Sequence, residues 1–139
     1  MAYKVLLPTT AVTASVIAVV TTPVDIGPNV QSLGLHYNFV YGSSGTNMTV
    51  YVQTSFDGGA TWTDIACFQS TTASQRRLYN LISSVGVTSI ATPTDGSLSA
   101  NTSVNGLIGD RIRLKYTSTG TYVATTLQVT SVIKEYSRD

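Results

Sequence analysis

The sequence predicts an all-β chain folded as an antiparallel β-sandwich. Three observations carry this. Apolar and polar residues alternate at period two in several separate runs, as they do on half-buried strands. Turn signals built from Gly, Asn, Asp and Pro separate those runs. Finally, 38 of the 139 residues are Ser or Thr, and only 11% are charged against 42% hydrophobic. That is less than half the charged share of about 25% in an average domain. The length suits one domain, taken as residues 1–139. Periodicity alone leaves the strand order open between a jelly roll and an immunoglobulin-like sandwich.

The elements follow in order. The apolar stretch Val5–Val20 is broken by Pro8, Thr9 and Thr10, and its second part is β-branched and rich in hydroxyls. It therefore reads as a strand rather than as the unbroken core of a signal peptide, and it is too short for a membrane span. Residues 1–30 are expected to form an extended arm plus this first strand. Leu33, Leu35, Tyr37, Phe39 and Tyr41 mark the inner face of the next strand. Met48, Val50 and Val52 do the same for Asn47–Ser55, with Thr49, Tyr51 and Gln53 facing out. The turn Asp57-Gly58-Gly59 returns the chain into Thr61–Phe68. Ser74–Ile82 fits either helical turns or an edge strand, and Val85–Ile90 a short strand. Pro93–Gly109 reads as a long surface loop. Asp110–Tyr116 and Tyr122–Ile133 are expected to form a second hairpin, turned at Gly120.

Composition excludes several classes of function. A net charge of +1 lacks the basic footprint of a nucleic-acid binder. A single cysteine, Cys67, permits no internal disulfide and no thiolate metal site. Its apolar neighbours mark it as a small buried hydrophobe rather than a nucleophile paired with His36. His36 is the only histidine, and the carboxylates lie mostly at turns, where Asp has structural work. No phosphate loop or nucleophile elbow is present. The chain is read as a non-enzyme with no cofactor.

Two features stand out. Ser55-Phe56-Asp57-Gly58-Gly59-Ala60-Thr61-Trp62 matches every defined position of the Asp-box hairpin. In that motif Ser55, Asp57, Gly59, Thr61 and Trp62 are structural turn residues: the carboxylate takes turn amides and the Trp lids the turn. The second feature is the row Arg111, Arg113, Lys115, which alternation places on one strand face. With Asp95, Asn101 and Asn105 of the preceding loop, this row is the expected partner-contact surface. The loop is expected to become ordered only against a partner.

In texture, Tyr51–Trp62 and Asp110–Thr121 resemble small structural proteins of tailed-bacteriophage virions. The resemblance spans roughly residues 30–135. It implies a jelly-roll-like fold in preference to the immunoglobulin-like alternative, and a capsid decoration or cement protein that binds the outer shell. It further implies virion proteins and further copies of the same chain as partners, a location in the virion, and assembly in the host cytoplasm. A neck or tail component is the alternative within that class. A carbohydrate-binding module using Trp62 is the alternative outside it.

Overall fold

The computed structural model describes residues 2–136. Strands β1 (Ala2–Val12), β11 (Thr125–Glu135), β4 (Val30–Val40) and β8 (Gln75–Ile82) form one sheet in that order. The other has the order β2 (Val16–Val20), β9 (Arg111–Thr119), β6 (Asn47–Ser55), β7 (Thr63–Ser70). The short β3 (Val24–Asp25) continues β2 along the same edge of β9, after a break around Pro23. Two short strands, β5 (Ser43–Ser44) and β10 (Tyr122–Val123), pair at one end.

Taking β2 and β3 as one, the chain has eight main strands, and their pairing is nested. First pairs with eighth (β1, β11), second with seventh (β2/β3, β9), third with sixth (β4, β8) and fourth with fifth (β6, β7). The contacts β11–β4 and β9–β6 then close each sheet. A long two-stranded ribbon wrapped over itself gives this order, which is that of a jelly roll. An immunoglobulin-like order would set the first strand beside the second, so that alternative is excluded.

The alternating residues face the core as expected. Leu33, Leu35, Tyr37 and Phe39 of β4 meet Met48, Val50 and Val52 of β6 and Ile112 and Leu114 of β9, all buried. Leu127, Val129 and Ile133 of β11 complete the layer. Tyr37 stacks on Phe68 across the two sheets, with ring centroids 4.7 Å apart and planes within 4°. Its hydroxyl reaches Ser70 Oγ at 2.7 Å, so the buried polar tip is satisfied.

Three sequence expectations are corrected and one open alternative is settled. Strands β9 and β11 lie in different sheets and form no hairpin, because the seventh and eighth strands of the wrapped ribbon have separate partners. Ser74–Ile82 resolves to an edge strand, β8. Val85–Ile90 forms no strand; it is exposed and belongs to the loop 83–110. Residues 1–30 are no arm: β1 and β2/β3 supply one edge strand to each sheet.

Candidate functional site

The Asp-box hairpin joins β6 to β7, and its bonds are local. Ser55, fully buried, donates from Oγ to Asp57 Oδ1 at 2.9 Å and accepts from the Gly59 amide at 2.8 Å. Asp57 accepts the Thr61 amide at 2.8 Å and the Thr61 hydroxyl at 2.6 Å. Gly59 has φ +98°, a left-handed value that suits a residue without Cβ. The Trp62 indole N–H closes on the Gly59 carbonyl at 3.2 Å. All five turn residues thus bond within the turn.

Asp57 yields a pH prediction. The Thr61 hydroxyl first, then the Thr61 amide and the Ser55 hydroxyl, lower its pKa from 3.8 to about 2. A depressed folded pKa means that the ionised form stabilises the turn. That stabilisation is present above pH 4 and is lost as pH falls toward 2. The Tm difference between the wild-type chain and Asp57→Asn should therefore be present at neutral pH and vanish near pH 2. A difference that does not change with pH would show that the carboxylate charge is irrelevant.

The basic row does not stand free. The Arg113 guanidinium lies over the Trp62 ring, 4.4 Å from its centroid, and its Nε donates to Gln53 Oε1 at 2.8 Å. The Gln53 amide nitrogen donates to Asp64 Oδ1 at 2.9 Å and to Asp95 Oδ1 at 2.7 Å. Lys115 Nζ meets the same Asp95 oxygen at 3.0 Å. The Gln53 amide first, then Lys115, hold the Asp95 carboxyl below the usual range. Arg111 is more open: its side chain is 43% exposed, with Asp110 at 3.9 Å.

The loop 83–110 folds back over this face. Its anchor is Asp64, only 2% exposed, which sequence reasoning did not select as a site residue. The Asp64 carboxylate accepts the amides of Gly96, Ser97 and Leu98 and the Thr94 hydroxyl, besides Gln53. Further bonds run along the edge of β7: Asp64 N–H to Thr94 O, Cys67 N–H to Thr102 O, Val104 N–H to Ile65 O. Asn101 Oδ1 accepts from the Gln69 amide, and Asn105 Oδ1 from the Ile82 amide. The loop is therefore ordered by its own chain, contrary to the expectation that it orders only against a partner. It also explains why Gln53, on the outer face of β6, is fully buried.

Cys67 lies buried beneath the loop, with its thiol pKa raised by desolvation. His36 sits on the outer face of the other sheet, accepting from Arg76 Nε at 2.8 Å. The two are on opposite sides of the sandwich, which rules out their acting as a pair. Among the described residues no three His, Cys, Asp or Glu side chains gather as a metal site.

The open surface beside the hairpin is an aromatic groove. Trp62, Phe56 and Pro93 wall a space of about 400 Å³ with Thr54, Thr61 and Thr63. A second hollow of about 350 Å³ continues past Phe56 to Val87 and Leu107. No protein-family model, curated protein or solved structure matches the chain.

Proposed function

We propose that this chain is a non-enzymatic structural protein of a virion, a decoration or cement protein that binds the outside of a capsid shell. The carrying observation is the jelly roll in which the charged side chains around the hairpin and loop bond to the fold itself. Arg113, Lys115, Asp57, Asp64 and Asp95 all bond inside the fold. What is presented outward is largely apolar and uncharged, including Tyr3, Ile17, Leu78 and Ile90. Such surfaces suit extended contacts between subunits better than chemistry on a small substrate.

The test is the protein's copy number in purified particles, read from a stained gel. Hundreds of copies per particle fit decoration of the head; a few copies fit the neck or tail reading. Binding to undecorated heads should also respond to Arg111→Gln, the exposed member of the row. Association should slow severalfold at low salt, and most of the difference should vanish at high salt. Equal rates at low salt would remove Arg111 from the contact. The aromatic groove favours one second reading, a carbohydrate-binding module. A glycan-array signal that is lost in Trp62→Ala would support it.

A further inference from the structure

Where the chain leaves β1 for β2 it crosses from one sheet to the other through Thr13, Ala14 and Ser15. A cavity of about 120 Å³ opens at this crossing, lined mainly by Leu7, Val12, Ala14, Val16, Tyr116 and Leu127. Immediately after Val16 comes Ile17, which is 84% exposed. A hole whose wall is mostly apolar but includes Thr10 and Thr13, and an apolar knob, thus sit side by side on one edge of the sandwich.

The knob is held out by the backbone. The pairing of β2 with β9 slips between Val16 and Val19, and Ala18 has φ +50°, a region disfavoured for any residue with a Cβ. Side-chain hydroxyls of β9 serve the irregular stretch. The Val16 amide donates to Ser118 Oγ at 3.2 Å, the Ala18 amide to Thr117 Oγ1 at 2.9 Å, and Ser118 Oγ donates to the Ala14 carbonyl at 3.1 Å. Such a bulge re-aims a side chain, and here it aims an isoleucine at water. Strain of this kind persists only where surrounding bonds hold it, as the β9 hydroxyls do here.

We propose that a second copy of this chain fills the cavity, with Ile17 of one copy entering the hole of the next. Ile17 cannot fill its own cavity, because its side chain stands in solvent while its neighbour Val16 lines the wall. The size fits one aliphatic side chain, since a cavity of about 150 Å³ accepts benzene. The electrostatics fit a copy as well. No charged residue occurs from Val5 to Val24, so two such edges meet without burying or repelling charge. The other sheet edges are guarded: β7 by the loop, β8 by Arg76 and Arg77, and β1 by Lys4 and Pro8. Strand β2 carries neither a charge nor a proline.

This inference rests on the expectation that the chain associates with further copies of itself, and not on where assembly takes place. Sedimentation of the full chain tests it, with circular dichroism confirming that each variant is folded. Ile17→Asp removes the knob and should weaken self-association on the order of 100-fold, because a carboxylate would have to enter an apolar cavity. Ala14→Phe blocks the hole from its rim and should weaken it comparably. Mixed together, the two variants retain one intact hole and one intact knob and should form a one-to-one pair that neither forms alone. If both variants associate as the wild-type chain does, the contact is elsewhere and only the self-association reading survives. A wild-type chain that stays monomeric at hundreds of micromolar overturns both.

Discussion

Replacing Asp64 with alanine is expected to destabilise the domain by about 3–5 kcal/mol, because several donors lose their acceptor at once and each one left unpaired costs about 1–3 kcal/mol. For a domain of this size that corresponds to a fall in Tm of roughly 10–15 °C. The carboxylate is buried and accepts three loop amides, the Thr94 hydroxyl and the Gln53 amide. Without it those donors lose their acceptor, and the loop loses its anchor on β7. Asp64→Asn keeps the shape but turns an amino group toward amides that can only donate, so it should recover little of the loss. Cys67 supplies a local readout. It is the only cysteine, it is fully buried, and its backbone amide bonds to Thr102 of the loop. A thiol reagent should label the native wild-type chain slowly, and the folded Asp64→Ala variant much faster. A variant as stable as the wild-type chain, with Cys67 still protected, would show that the loop is held by its edge bonds and not by the carboxylate.

The strands were legible in the sequence, and the site was legible only in part, for a physical reason. Period-two alternation reports which face of a strand meets the core, so β4, β6 and β9 could be placed from Leu33 to Phe39, Met48 to Val52 and Ile112 to Leu114. It carries no information on which strand pairs with which. Gly120 turns the chain after β9, yet the next long strand joins the other sheet. Alternation also assumes that the outer face meets water, and the loop breaks that assumption. Gln53, Asp64 and Cys67 are polar or small residues on an outer face that is covered by chain more than thirty residues away in sequence. The Asp-box was readable because its bonds span only two to four residues. The Asp64 latch, at separations of 30 to 34 residues, left one trace: an acid set among Ile65, Ala66, Cys67 and Phe68, where an uncovered charge would be out of place.

Gly109→Ala is expected to destabilise by about 1–3 kcal/mol, at the upper end of that overpacking range, because the obstacle is backbone and not a movable side chain. Gly109 ends the loop just before β9, and its amide donates to Thr54 Oγ1 at 2.8 Å. The next amide, of Asp110, donates to the Ser55 carbonyl at 3.1 Å. A Cβ on Gly109 would collide with that same Ser55 carbonyl oxygen. Ser55 is the residue from which the Asp-box bonds to Asp57 and Gly59 begin, so relief of the collision must disturb the hairpin. Trp62, the sole tryptophan, reports on this directly through its indole bond to Gly59 and its contact with Arg113. Its emission should shift to the red in the folded variant as the ring loosens. Gly86→Ala is the control, since a Cβ there meets nothing within 4 Å. A glycine in open space gains from the substitution through the unfolded chain, by about 0.4–1 kcal/mol. Opposite signs for the two alanines would locate the demand for glycine at the approach of residue 109 to Ser55. Equal, small effects at both would mean that the loop exit can move away from the hairpin without loss.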